Sequence, residues 1–405
     1  MKTVEEARRR ILEHLTPVST EWISLERAYG RVLAEPVDAR HTRPARSLSA
    51  MDGYAVRSAD AAPGRTLHVI GEAPAGHPFE EPVGAGDAVR IFTGAGLPPG
   101  ADAVAIQEDV ERHGDTIQLR EPVSAGTAVR PRGLDFVSGE TLIEAPRRLA
   151  PRHVGIAAAA GLSWLRVFRR PRVALLATGD ELRRPGDPID DQQVITSSSY
   201  ALRAYVEAWG GTLVDLGIAR DDRESLKAAA RAADGVDLVL TTGGASVGDY
   251  DLVRSALGED GLDLNFWKVA MRPGKPLIYG SLRGTPFLGL PGNPVSSLVC
   301  AWLFLRPMLE LRSGLEATLP PTVKATLVVP VPKNGSREDY LRSTLTWVDD
   351  RWMATPFDVQ DSSMLSTYAR ADGLVVRPAD GEALDEGASV TAIRFEGSTK
   401  SSSVK

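Results

Sequence analysis

The spacing of apolar residues changes character along this chain, and each change predicts a different kind of element. Over residues 3–15, Val4, Ala7, Ile11 and Leu15 recur at helical spacing, which predicts an amphipathic helix. A second helical segment is expected over 25–33. From about 43 to 140 the helical spacing is lost. Short apolar runs at 66–70, 88–92 and 103–107, cut by Gly and Pro, predict a compact β-rich domain. Helical texture returns at 151–161, where a run of four alanines suits close helix packing. The simplest organisation is a discontinuous helical N-terminal domain, 1–42 with 141–170, into which a β-rich domain, 43–140, is inserted.

Beyond residue 170 strands and helices alternate. Strand-like runs lie at 173–177, 213–218, 236–240, 264–269 and 286–290, with helix-like runs at 200–209, 224–233 and 294–311. Such alternation predicts a doubly wound α/β domain, here 171–316. After Pro320-Pro321 the texture is again strand-like, which predicts a small C-terminal β domain over 317–396. The Ser-rich segment 397–405 is expected to be a disordered tail. The expected fold class is therefore multidomain, α/β plus β.

Composition narrows the function only a little. At 405 residues the chain exceeds one compact core, and 43% hydrophobic with 25% charged residues is ordinary for a soluble protein. A net charge of -6 gives no electrostatic support for nucleic-acid binding, so basic groups must act locally. A single cysteine, Cys300, excludes an intramolecular disulfide and reads as a small core residue. Its apolar run, 299–305, is too short to cross a bilayer, and the N-terminal segment lacks the apolar centre of a secretory signal. The expectation is a cytoplasmic protein that binds neither membrane nor nucleic acid.

The candidate chemistry gathers where the α/β strands end. In an open parallel sheet, ligands bind beyond the carboxyl ends of the strands. After 236–240 comes Thr241-Thr242-Gly243-Gly244-Ala245-Ser246-Val247-Gly248-Asp249-Tyr250-Asp251, whose glycines let backbone N–H groups approach an anion. Its aspartates would repel a bare phosphate but suit a phosphate accompanied by Mg²⁺. The bland alternative is an ordinary Gly-rich turn. Asp180 and Glu181 follow the first strand, and with Asp249 and Asp251 they are candidates to hold Mg²⁺ or orient water. Lys268, Arg272 and Lys275 are candidates to bind phosphate or an oxyanion. Pro291, Asn293 and Ser296 introduce a long helix whose N-terminus suits another anionic group. Each alone could be turn chemistry, since turns demand these residues. Four such segments at one sheet edge favour a ligand site. In the inserted domain Asp52, Thr93 and Asp135 stand in motifs of their own, and no spacing rule joins them to the α/β loops.

Six motifs, SAMDGYAV, RIFTGAGLPPGADAV, TGDEL, TTGGASVGDYD, MRPGKP and GLPGNPVSS, occur in this order. Together they make the chain resemble the molybdopterin molybdenumtransferase family, which includes the E domain of gephyrin, from about residue 1 to 396. The resemblance implies an elongated homodimer of four-domain subunits. It implies adenylylated molybdopterin and molybdate as substrates, with molybdenum inserted into the dithiolene and AMP released with Mg²⁺. Asp52, Thr93, Asp135, Glu181, Asp249, Lys268 and Arg272 then occupy positions that the family uses. The inserted domain of one subunit would face the α/β domain of the other. Molybdopterin adenylyltransferase and the recipient molybdoenzymes are further partners on this reading.

The chain departs from the family pattern at three places. Ala45-Arg46 follows Pro44 where the family has Pro-Phe, Thr196-Ser197-Ser198 replaces an Asp/Asn-Ser-Asn run, and Arg272 stands where lysine is commoner. Two other functions remain open from sequence: a non-catalytic molybdopterin-binding scaffold, and a molybdopterin adenylyltransferase.

Overall fold

The computed structural model describes residues 1–243, 256–258 and 260–395. They divide into two compact units, one built from 1–21, 30–34 and 166 onwards, the other from 22–29 and 35–165.

In the second unit the core is a six-stranded sheet in the order Ala103–Ile106, Gly53–Val56, Asp87–Ile91, Thr66–Ala73, Thr116–Leu119, Val110–His113. Both faces are covered. Tyr54 and Val56 turn into one apolar cluster with Leu67 and Ile117, while Ala55 between them enters another with Val89 and Val104. Period-two alternation with apolar residues on both faces explains why this region reads as continuous short apolar runs. The expected helix over 25–33 does not form. A single 3-10 turn spans Leu25–Arg27, and Val32–Leu33 is a strand. Gly30, with φ +74°, breaks the segment between them.

The first unit holds the α/β sheet, in the order Thr212–Ala219, Arg172–Thr178, Leu238–Thr242, Thr285–Leu290, Ile278–Leu282, Leu262–Phe266. The first four strands are parallel. The remaining two add one antiparallel strand to this sheet. Ile278–Leu282 was not legible as a strand, and it runs antiparallel to both neighbours. It forms a two-residue hairpin in which Leu282 faces Thr285, and Arg283 and Gly284 both take positive φ. Leu262–Phe266 therefore runs the same way as the parallel strands. Its carboxyl end, and the loop carrying Arg272 and Lys275, reach the same sheet edge as the other candidate loops.

Two helices cover the sheet in a way the sequence foretells. Val4–Leu12 starts at a capping box between Thr3 and Glu6 and buries Val4, Ala7 and Ile11 in the sheet's core. The 19-residue helix Pro294–Arg312 is long and apolar enough to cross a membrane, but most of it is buried inside the protein. It is the central core helix, and Cys300 lies within it, fully buried, its thiol pushed well up by desolvation. 

Five further strands close on themselves. Glu338–Val348 pairs with both Arg351–Pro356 and Gly373–Arg377, and Thr322–Leu327 and Ser389–Arg394 complete the ring. A two-residue strand from the α/β loop, Met271–Arg272, pairs in parallel with Glu338 and Asp339. That short pairing ties the barrel to the edge where the α/β loops end. The expected tail, 397–405, lies outside the described residues.

Candidate functional site

At the carboxyl edge of the α/β sheet, two glycines make the strand ends compatible with a ligand cavity. Gly179 has φ +146°, and a Cβ there would lie 2.5 Å from Oε2 of Glu181. Glycine is what lets the Glu181 carboxylate fold back over the strand end. Gly243 has φ +90°, and a Cβ there would lie 2.3 Å from the Thr178 carbonyl oxygen. No side chain fits between these two adjoining strands. The third loop is pinned from below: the Ser297 hydroxyl donates to the Pro291 carbonyl and lies 3.3 Å from the Thr242 hydroxyl.

Asn293 does not cap the helix that follows it. Its side-chain amide donates to the Ser362 hydroxyl at 3.0 Å, and the Val295 N–H donates to the Ser362 carbonyl at 3.1 Å. The barrel segment around Ser362 is thereby held against the start of the core helix, and it closes one side of a cavity of about 950 Å³.

Opposite charges line this cavity. Arg272, Lys275 and Arg337 face it, and none has an ion pair or side-chain hydrogen bond to a described residue. Three cations without partners in one concave site constitute an anion-binding arrangement, and the arginines can grip an oxyanion through two parallel hydrogen bonds. Glu181, Asp221 and Asp361 supply carboxylates to the same cavity. Asp361 accepts from the Ser363 hydroxyl at 2.6 Å and the Ser363 N–H at 2.8 Å, which holds its carboxyl below the usual range.

Of the residues singled out from sequence, Glu181, Gly243, Arg272, Lys275, Pro291, Asn293 and Ser296 line the cavity. Asp180 and Lys268 do not. The Asp180 carboxylate accepts from the Asp221 N–H at 3.4 Å, and the Lys268 ammonium lies 3.4 Å from the centre of the Trp267 ring. Gly244, Ser246, Gly248, Asp249 and Asp251 lie outside the described residues. Thr196 lines the cavity and its hydroxyl lies 2.7 Å from that of Ser199, whereas Ser198 is buried in the helix behind. Sequence reasoning missed Asp221, Arg337, Gln360 and Asp361. The last three come from the barrel, and nothing in their spacing points to the sheet edge.

For Mg²⁺, the described cavity wall offers the hard oxygen donors of Glu181 and Asp221, which are of the right class. Among the described residues no group of three His, Cys, Asp or Glu side chains could hold an ion.

The second unit carries its own cluster. Asp52 Oδ1 accepts from the Thr93 N–H and from the Thr93 hydroxyl, each at 2.8 Å. These bonds, the backbone one first, hold the Asp52 carboxyl below its ordinary value. Arg90 stacks over Tyr54 and Phe92 and donates to the Gly53 carbonyl, bracing the turn that carries Asp52. Asp135 is paired elsewhere, 3.6 Å from Arg43.

Three family models match the chain in order. They are the MoeA N-terminal region (domain I and II) over residues 2–161, the probable molybdopterin binding domain over 174–311, and the MoeA C-terminal region (domain IV) over 324–395. The molybdopterin molybdenumtransferase of Haemophilus influenzae is 34% identical, over 98% of this chain and 99% of its own. Molybdopterin molybdenumtransferase 2 of Mycobacterium tuberculosis is 35% identical, over 94% and 96%. Among solved structures, the molybdopterin biosynthesis moeA protein from Pyrococcus horikosii matches with a TM-score of 0.86 at 33% identity, covering 98% of this chain and 99% of that one.

Proposed function

The chain belongs to the molybdopterin molybdenumtransferase family, and on that premise we propose that its cavity takes adenylylated molybdopterin and molybdate, joins molybdenum to the dithiolene and releases AMP. One observation carries the reading: three cations, Arg272, Lys275 and Arg337, unpaired among the described residues, converge on a cavity of about 950 Å³ that also presents carboxylates. The pyrophosphate of the substrate and molybdate are all anionic. Each repels the other, so they gather only where fixed positive charge offsets that repulsion.

The roles divide by chemistry. Arg272 and Arg337 hold oxyanions in bidentate fashion, and Lys275 adds a point charge. Glu181 and Asp221, with Asp249 and Asp251, are the residues that would hold Mg²⁺. When bound, the ion supplies charge neutralisation between carboxylate and phosphate. Asp52, kept ionised by Thr93, is suited to orient a water or a thiol through a charge-assisted hydrogen bond. We place its cluster at the cavity of a partner subunit in a cytoplasmic homodimer. Mixing Asp52→Ala chains with Glu181→Ala chains should then restore part of the activity, and an active monomer in light scattering would exclude this arrangement.

The direct test supplies adenylylated molybdopterin, molybdate and Mg²⁺, then measures AMP release and the activation of a molybdenum-dependent apoenzyme. Release of AMP with activation is the expected result. Binding without AMP release would instead make the protein a molybdopterin-binding scaffold. Consumption of ATP with unmodified molybdopterin would make it an adenylyltransferase.

A further inference from the structure

A second cavity, of about 460 Å³, adjoins the first and shares Arg272, Pro273 and Gln360 with it. Its walls come from the barrel side of the loop that carries Arg272. The character of these walls differs from that of the first cavity. Pro330, Pro332, Pro356 and Phe357 give it flat apolar surfaces, and the prolines have no N–H to donate.

One carboxylate on these walls has no donor among the described residues. Asp339 is 9% exposed, and its carboxylate has no hydrogen bond or ion pair to any described residue. Arg272, Arg337 and Arg377 lower its pKa at a distance, but burial outweighs them and pushes it up. Arg377 is engaged elsewhere, donating to the carbonyls of Pro332, Gly381 and Glu382. Oδ1 of Asn334 is buried without a partner among the described residues, while the Nδ2 of the same amide donates to the Arg337 and Pro378 carbonyls. The wall also holds one unpartnered buried donor, Nε of Arg342. Buried polar groups are normally satisfied, so one left open is unfavourable. A ligand that brought two adjacent N–H donors would satisfy the Asp339 carboxylate.

We propose that this second cavity is a subsite for a 2-amino-4-oxopyrimidine ring edge, the edge that a pterin presents, with Asp339 as its recognition residue. This rests on the reading given under Proposed function, and it assigns one end of that substrate to one place. The edge carries two adjacent donors, the 2-amino group and the N3–H, which a carboxylate accepts as a pair. It also carries one oxo acceptor, for which the same wall offers an arginine donor in Arg272. Adenine is a poorer match. Its edge sets one donor beside one acceptor, so one carboxylate oxygen would face a ring lone pair. Pterin in the second cavity leaves the pyrophosphate and adenylyl group for the cation-lined first cavity, with Arg272 at the junction.

The experiment uses the full chain and needs no turnover. Pterin and AMP are titrated separately against the wild type and Asp339→Asn, with thermal melts run alongside. The substitution turns one acceptor into an N–H that opposes a ligand N–H. Pterin affinity should fall about tenfold or more, and AMP affinity should stay within about twofold. Hydrogen exchange of the wild type with and without pterin gives a check independent of any variant: slowing is expected at 330–342 and 377–381. Unchanged pterin affinity in Asp339→Asn would overturn the proposal. So would pterin protection confined to 178–182 and 291–297, or displacement of pterin by AMP. Failure of the transferase reading shows separately, as absence of AMP release by the wild type.

Discussion

Asp52 and Thr93, 41 residues apart, are joined by two 2.8 Å hydrogen bonds onto a single carboxylate oxygen. Both donors favour the ionised carboxyl, so its pKa lies below the ordinary value. A lowered pKa means that the group is charged above that value and is neutralised only as pH falls through it. Thr93→Val removes the hydroxyl and keeps the backbone donor. The Asp52 pKa should then rise towards ordinary, and the acid limb of the AMP-release profile should move to higher pH. Thr93→Ser should leave the limb where it is. A limb unmoved by Thr93→Val would mean that it does not report Asp52.

Asp237 is a heavily engaged acid in the first unit. Arg169 grips it through two nitrogens at 2.5 and 2.6 Å, the Arg172 N–H donates at 2.7 Å, and Arg312 approaches to 3.3 Å. Burial raises its pKa and these partners more than reverse that, leaving it lowered. Its contribution to stability is therefore present above the unfolded-state pKa and is lost as pH falls through the folded-state one. Asp237→Asn should cost about 3 kcal/mol at neutral pH, because two arginines lose their buried counter-charge. In denaturant melts at successively lower pH, the gap between wild type and variant should close.

The α/β framework was legible because its parallel strands, such as Arg172–Thr178 and Leu238–Thr242, are continuous apolar runs buried on both faces. Ile278–Leu282 was not, since Gly280 and Ser281 break its apolar run and its hairpin turn is Arg283-Gly284, outside the usual turn pairs. Half of the cavity was visible as loops following strands. The other half was hidden because Arg337, Gln360 and Asp361 belong to the barrel, and the pairing of Met271–Arg272 with Glu338 and Asp339, with the Ser362 contacts to Asn293 and Val295, brings them to the sheet edge. A pairing two residues long leaves no period to read. Asp180 illustrates the reverse failure. It sits next to Glu181 in a suggestive motif, yet chain geometry turns it to the Asp221 N–H and leaves Glu181 on the cavity wall.

Glu181 is exposed and lies over Gly179, where its carboxylate lines the cavity without supporting the core. Glu181→Gln should abolish most AMP release while shifting stability by less than about 0.5 kcal/mol, as is usual for surface positions. The check is AMP release beside a thermal melt of the same preparation. Wild-type turnover by this variant would remove Glu181 from the mechanism.

Arg272 is the one cation common to both cavities, and it is exposed and unpaired among the described residues. Its backbone is fixed by pairing with Asp339, so the guanidinium projects from a rigid strand rather than from a free loop. A rigid base makes the planar fork effective, because little conformational freedom is lost when an oxyanion binds. Removing the fork should weaken molybdate more than it weakens the nucleotide end, which Lys275 and Arg337 also serve. Arg272→Ala should therefore raise the molybdate concentration for half-maximal activity by about tenfold, equivalent to one charge-assisted hydrogen bond of roughly 1.4 kcal/mol. Arg272→Lys keeps the charge without the fork and should recover much of the loss. If the guanidinium merely faced water, both substitutions would leave the molybdate dependence unchanged. Titrating molybdate against the three proteins at fixed Mg²⁺ decides between these outcomes.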